Sequence, residues 1–448
     1  MDWLQILALA CFLLLGMFFS GMPIFLAFLV INLAGVVLYL GTGAFGMVVN
    51  SIFSTTTTGT LTAIPLFVLM GEILFRSGST DVLFDAVDRL VANIRGRQYA
   101  LSMLLATVFG ALSGSNMAVT AMMGKTVYPG MRARGYDEKL SIGVILAGAS
   151  LAPIIPPSVL AIIIATLANV SVAGLLVAGI LPGLVLSGMF LLYALGRCSL
   201  NPALAPASTN AASADTSVTV DDHNAPEDRP VSTTRLLLRC LPFGVIVLSV
   251  MGFILLGIAT PSESAATGVM GTLVTAWLFG RLNLSLIWTS LGQAAYIASM
   301  ILIIMASSTM FSQLLAFSGA TSQLATLVSE STLAPGLIFL LMMVVVFAFC
   351  LFIDQVALML VVIPIFLPVV TALAFDPIWF WLMMLLNVTL GGITPPFGYA
   401  MFTFKGVSPD TDLRTIFSAS TPFVLLFIVG MLIIYWQPGL ATWLPGLL

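Results

Sequence analysis

Charge is nearly missing from this chain. Of 448 residues only 15 are Lys or Arg and 18 are Asp or Glu, 7% together, against roughly 25% in soluble globular domains. With 60% hydrophobic residues and a mean hydropathy of +1.14, a soluble class is excluded and a polytopic, all-α integral membrane protein is expected. Histidine is almost absent as well. The single one, His223, falls in the only long polar stretch, which rules against a histidine-based catalytic or zinc site. Cys11, Cys198, Cys240 and Cys350 stand without metal or redox spacing and read as apolar packing. No Walker-type phosphate loop occurs, so an ion gradient rather than a nucleotide is the expected energy source. The start, Met1-Asp2-Trp3, lacks the basic segment of a cleavable signal peptide, and the first apolar run is expected to remain as a span.

What the chain does contain is a pair of interruptions inside apolar segments. Ser113-Gly114-Ser115-Asn116 breaks one segment, and Ser150 with Pro153, Pro156, Pro157 and Ser158 breaks the next. Freed backbone groups have no water to bond in a bilayer, so such breaks are tolerated where they line a protein or aqueous cavity, and they mark binding sites in transporters. Both breaks recur. Adding 239 carries Ser115 to Asp354, Pro129 to Pro368, Asp137 to Asp376, Ser150 to Thr389 and Pro156-Pro157 to Pro395-Pro396. Two structural repeats follow, each with a mid-membrane tip and a broken helix.

Basic residues orient the repeats, because Lys and Arg collect in cytoplasmic loops. None precedes Arg76 and none lies between Arg281 and Lys405. In the first repeat, 1–196, spans are expected at 4–19 and 23–40, with a further apolar segment over 47–75. There Glu72 and Arg76 are four apart and read as a local ion pair. Residues 80–94 carry one apolar face and read as an arm lying along the interface. Basic residues flank 99–131 on both sides while each half is too short to cross, so this stretch is expected to enter and return as a re-entrant hairpin. Residues 140–169 form the broken helix and 174–196 return. A polar linker, 197–239, reads as a flexible cytoplasmic tether. The second repeat, 240–448, follows the same plan upside down: an arm at 318–333, a hairpin at 335–370 with its tip near Asp354-Gln355, and a broken helix at 377–404. The expected total is ten spans and two hairpins with both termini outside. The fold class is therefore two inverted-topology repeats with re-entrant helical hairpins and broken helices.

Half-helix ends inside a membrane attract ions, anions at N-termini and cations at C-termini with unwound carbonyls. Side-chain oxygens beside them suit Na⁺, a hard monovalent cation that needs no carboxylate cage. One expected Na⁺ site comprises Ser113, Ser115, Asn116, Ser150 and the carbonyl of Pro153. The other comprises Asp354, Gln355, Thr389, Gly391, Gly392 and Thr394. Asp354 is the sharpest single residue, since an ionisable group at membrane depth is functional by default. Substrate is expected between the tips and the breaks, at Ser115, Asn116, Pro156, Pro157, Asp354, Pro395 and Pro396. The alternative for any isolated Ser or Gly here is close helix packing.

At these residues the chain resembles the large membrane subunit of tripartite ATP-independent periplasmic (TRAP) transporters. The matching stretches are IPLFVLMGEIL (64–74), GALSGSNMAVTA (110–121), PGMRARGYD (129–137), APIIPPS (152–158), AGILPG (178–183), GIATPSESAATG (257–268), IPIFLPV (363–369) and LNVTLGGITPPFGYAMF (386–402). The resemblance covers the chain apart from 197–239. It implies an elevator-type symporter of the bacterial inner membrane, related to a wider ion-transporter superfamily. It further implies Na⁺ coupling, a separate four-span small membrane subunit, and a periplasmic substrate-binding protein that delivers an organic acid, a carboxylate. Membrane lipid is the surrounding partner and no nucleic-acid partner is expected.

Two other readings are open at this stage. A stand-alone Na⁺/divalent-anion symporter of similar architecture, moving a dicarboxylate, would need neither partner. An intramembrane enzyme would use Asp354 and Asp376 as a carboxylate pair.

Overall fold

The computed structural model describes residues 3–41, 45–78, 96–205 and 233–448, and every regular element among them is helical. The first repeat opens with α1 (Trp3–Phe19), α2 (Ile24–Gly35), α3 (Gly46–Thr57) and α4 (Ala63–Arg76). The hairpin follows as α5 (Arg97–Ser113), α6 (Asn116–Thr126) and α7 (Tyr128–Ala133). The broken helix is α8 (Glu138–Ser150) and α9 (Val159–Leu167), then α10 (Val172–Ala178) and α11 (Ile180–Leu200) return. The second repeat runs α12 (Thr233–Leu255), α13 (Pro261–Leu278), α14 (Leu284–Phe317) and α15 (Ala320–Ser329). It continues through α16 (Pro335–Cys350), α17 (Gln355–Ala372), α18 (Pro377–Gly391), α19 (Tyr399–Val407) and α20 (Leu413–Trp436).

The repeat is visible in the caps as well as in the order of elements. Asp137 accepts the N–H of Leu140 and Asp376 that of Trp379, both at 2.8 Å, so each begins the helix that is later broken. Ser115 accepts from Ala118 and Asp354 from Ala357, again 239 apart. The turns before the Asp caps both pass through left-handed backbone, at Gly135 and Ala374.

Among the described residues five helical stretches are long and apolar enough to cross a membrane: Gly59–Arg76, Val172–Leu200, Leu284–Phe317, Gln355–Ala372 and Leu413–Trp436. Most remaining apolar helices are shorter because breaks fall inside the spans. One break was not expected. The 47–75 segment divides at Thr58-Gly59, where the hydroxyls of Thr56, Thr57 and Thr58 donate to the carbonyls of Ile52, Phe53 and Ser54. Such back-bonding favours termination, and Gly59 adds none of the propensity needed to continue. The matching stretch of the second repeat is the unbroken 34-residue α14.

The arm expected at 80–94 lies outside the described residues, whereas that at 318–333 contains α15 behind a left-handed Gly319. The tether expected at 197–239 needs correcting at both ends. Helix α11 continues to Leu200, and the carbonyl of Leu204 accepts bonds from the Tyr99 hydroxyl at 2.7 Å and the Asp137 N–H at 3.2 Å. Helix α12 begins at Thr233. Only 206–232 of that stretch lies outside the described residues.

Two groups of helices result. In one, α2, α3 and α4 pack on α14, and α13 packs on α4 and α12: Asn32 Nδ2 donates to Ser307 O at 2.7 Å, and Ser51 Oγ donates to Gln313 Oε1 at 2.8 Å. In the other, the hairpins and broken helices pack on α20 and α11. Gly143 of α8 admits Phe423 and the backbone of Ala419 so closely that any Cβ would collide.

A single hydrogen bond illustrates how the groups meet. Pro364 has no N–H, so the carbonyl of Leu360, four residues earlier in α17, loses its helical partner. The buried hydroxyl of Ser308 on α14 donates to it at 2.6 Å. Ser308→Ala is expected to cost about 1 kcal/mol, the scale of interhelical hydrogen bonds in bilayers, and the loss should vanish when Pro364→Ala restores the N–H. Denaturation midpoints of the four proteins of this cycle check the coupling; additive effects would refute it.

Candidate functional site

At the first tip α5 ends on Ser113 and the chain turns through Gly114 at φ +61°, a conformation that favours glycine. A side chain there would also press on Pro157 O at 3.2 Å and Val159 N at 3.4 Å. The tip is therefore laid on the restart of the broken helix. Ser113 Oγ accepts the Ser115 N–H, and Ser115 Oγ caps α6 by accepting the Ala118 N–H, both at 3.3 Å. Asn116 follows, 1% exposed. Its Oδ1 accepts the Thr120 hydroxyl at 3.2 Å, while its Nδ2 finds no acceptor in bonding geometry. Ser150 is fully buried and donates to Ala147 O at 2.7 Å.

The Pro153 carbonyl, an expected ion ligand, already accepts the hydroxyl of Ser158 at 2.5 Å. Ser158 Oγ in turn accepts the Ala161 N–H and caps α9. One oxygen thus closes the gap between the two half-helices, a role that the motif around Pro156-Pro157 contained but that was not read from it. Pro156 and Pro157 are buried, whereas Pro395 is half-buried and Pro396 exposed; both Pro-Pro bonds are cis.

At the second tip Asp354 caps α17, its Oδ2 accepting from Val356 N at 2.9 Å and Ala357 N at 3.4 Å. Thr389 and Thr394 donate to Leu385 O and Leu390 O, each at 2.7 Å. Gly391 lies against Cys350, and Gly392 against the ring of Tyr399, closer than a Cβ would allow. These two glycines act as close-packing positions. Their lack of side chains makes room for the tip and for a tyrosine.

That tyrosine joins the tips. Tyr399 Oη donates to Gln355 Oε1 at 2.8 Å, and α19, which Tyr399 opens, packs on α6, which Asn116 opens, so the phenol lies beside the Asn116 amide of the first tip. Sequence reading did not single it out, although it stands in the quoted 386–402 stretch. Asp376, by contrast, caps α18 beyond the far end of the 18-residue α17, roughly 27 Å from Asp354 at 1.5 Å per residue. The carboxylate pair of the enzyme reading is not assembled.

The donor chemistry suits a hard monovalent cation. Ser150 and Thr389 spend their hydroxyl protons inside their own helices and Thr394 spends its proton on the last turn of α18, which leaves only oxygen lone pairs free. Neutral oxygens of this kind prefer Na⁺ to soft or transition metals. Among the described residues no group of three or more His, Cys, Asp or Glu is placed to hold a metal ion. Away from the tips, two cavities of about 260 and 770 Å³ share Thr58, Thr166 and Asn169, between the α14 group and the hairpin group. Ser308, Ser312 and Pro364 line the smaller.

Large apolar side chains such as Phe12, Leu192, Leu248 and Trp436 stand more than 70% exposed, a surface only a bilayer satisfies. Capped half-helices facing each other inside such a body define the permease subunit of a secondary transporter, a multi-pass membrane protein and not an enzyme. More particularly, the chain belongs to the tripartite ATP-independent periplasmic transporter family, DctM component, which it matches over residues 10–440, and it is a large membrane subunit of that family. It is 26% identical to the ectoine TRAP transporter large permease protein TeaC of Halomonas elongata, with 97% of each chain covered. Identity is 28% to the C4-dicarboxylate TRAP transporter large permease protein DctM of Pseudomonas aeruginosa over 88% of each chain. It is 26% to the sialic acid TRAP transporter large permease protein SiaM of Vibrio cholerae over 97%. Among solved structures the YdaH transporter of Alcanivorax borkumensis shares the fold, with a TM-score of 0.60 at 17% identity over 90% of this chain and 89% of that one.

Proposed function

We infer that the chain carries an organic acid into the cytoplasm together with Na⁺, across the bacterial inner membrane. A periplasmic binding protein would deliver the substrate, and a small four-span membrane subunit would complete the transporter. The supporting observation is the pair of matched tips: each begins a helix with a side-chain cap, and each has buried hydroxyls whose protons point away into their own helices. Ser113, Ser115, Asn116 and Ser150 would supply oxygens to one Na⁺, with the remaining lone pair of the Pro153 carbonyl. Asp354, Gln355, Thr389, Thr394 and the backbone at Gly391 and Gly392 would supply the other.

The substrate carboxylate would lie between the tips, near Ser115, Asn116, Asp354 and the two Pro-Pro turns. Helix N-termini attract an anion without a buried arginine. Bound Na⁺ would offset the carboxylate of Asp354, so that anion and aspartate share a site only when cations are present. The hairpin group would move against the α14 group as an elevator. Uptake into proteoliposomes tests the assignment: transport should require inward-directed Na⁺, the binding protein and the small subunit together. Uptake without Na⁺, or without the binding protein, would sink it.

A further inference from the structure

We propose that Tyr399 is a positioning residue that ties the two tips into one unit, so that cation occupancy at one is felt at the other. This deepens the two-site reading above and rests on it. The tips come from different repeats and share no helix; Asn116 starts α6 and Gln355 starts α17. One phenol reaches both. Its hydroxyl proton is committed to Gln355 Oε1 at 2.8 Å. Its oxygen keeps a lone pair beside Asn116, whose buried Nδ2 has no acceptor in bonding geometry. A buried amide hydrogen without an acceptor is costly, so a small approach of the first tip toward Tyr399 is favoured by the bond it completes.

A cation drawing in Asn116 Oδ1 at the first tip turns the same amide. The Nδ2 to Oη bond then forms, strengthens the acidity of the phenol proton, and tightens the bond to Gln355. Gly392 and Gly398 fix the ring in place: a Cβ on Gly392 would collide with the ring, and Gly398 packs on the carbonyls of Gly392 and Thr394. A phenylalanine at position 399 fills the same cradle and removes only the hydroxyl.

The test titrates NaCl against choline chloride and follows the denaturation midpoint of the purified full-length transporter, without substrate. Wild type, Tyr399→Phe, Gln355→Leu and the double variant are compared. Tyr399→Phe is expected to raise half-saturating Na⁺ about fivefold, the worth of one neutral hydrogen bond, and to turn a sigmoidal titration hyperbolic. Its midpoint without Na⁺ should fall only by the worth of the one bond to Gln355, and the loss of the sigmoidal shape is the readout that a merely structural role would not produce. Gln355→Leu removes both the acceptor of the phenol and an oxygen of the second site, so it should raise half-saturating Na⁺ further, and the double variant should go no further than Gln355→Leu alone. A Tyr399→Phe titration that overlays a Na⁺-responsive wild type overturns the interlock and leaves the ion sites standing. A wild type indifferent to Na⁺ overturns both.

Discussion

Asp354→Asn is expected to raise half-saturating Na⁺ for uptake by roughly 30- to 100-fold while leaving the protein folded. Asparagine is as good a helix cap as aspartate, so the bonds from Val356 and Ala357 to the side-chain oxygen at the start of α17 survive the exchange. What is lost is the negative charge of a half-buried carboxylate at the second tip. Hydrogen bonds and contacts to a charged group contribute about 1.5–3 kcal/mol net of desolvation, and each 1.4 kcal/mol is tenfold in affinity. Asp354→Ala should lose the cap as well, a further cost of about 1 kcal/mol in stability. The two variants therefore separate the ionic role from the structural one. Wild-type Na⁺ dependence in Asp354→Asn would reduce Asp354 to a capping residue, which is the ordinary alternative for an aspartate at a helix start.

The architecture was readable because a bilayer leaves the chain few choices. Scarce charge forces helices, and breaks inside apolar segments must be placed where something satisfies them. The 239-residue offset then carried the first repeat onto the second with enough accuracy to put Asp137 and Asp376 at equivalent caps. The Glu72–Arg76 ion pair, at 2.7 Å, was equally legible from its spacing.

What escaped was whatever depends on partners distant in sequence. Nothing local distinguishes Tyr399 from the neighbouring aromatics Phe397 and Phe402; its meaning lies in Gln355, 44 residues earlier, and in Asn116 of the other repeat. The Ser308 bond to Leu360 is of the same kind. Pro364 announces a free carbonyl in the sequence, but which of the many hydroxyls on α14 takes it is decided by helix packing. The division at Thr58 failed for a different reason. Residues 47–75 were read as one continuous apolar segment, whereas three of the four consecutive threonine hydroxyls within it bond back and end one helix before the next begins.

Cross-linking position 19 to position 352 is expected to abolish uptake completely and reversibly. Phe19 closes α1, which packs on α2 of the α14 group, and Phe352 stands at the second tip, two residues before Asp354. Their rings meet edge to face with centroids 6.2 Å apart, and Phe352 continues to Phe397 at 5.1 Å. All three are more than half exposed, so this contact is a thin aromatic bridge across the boundary and not part of a packed core. If transport carries the tips past the α14 group, the bridge must open in each cycle. Aromatic pairs contribute only about 0.5–1.5 kcal/mol beyond burial, weak enough to part thermally. A covalent link is not. With cysteines at 19 and 352 in a background lacking Cys11, Cys198, Cys240 and Cys350, a short reducible bifunctional thiol reagent spans the gap better than a disulfide, whose Cα atoms must lie within about 7 Å. Uptake should fall to background on linking and return on reduction, while either single cysteine treated alike keeps its rate. Full transport through the linked protein would mean that tip and α1 travel together, and the elevator motion would have to be replaced by opening of the hairpins about a fixed site.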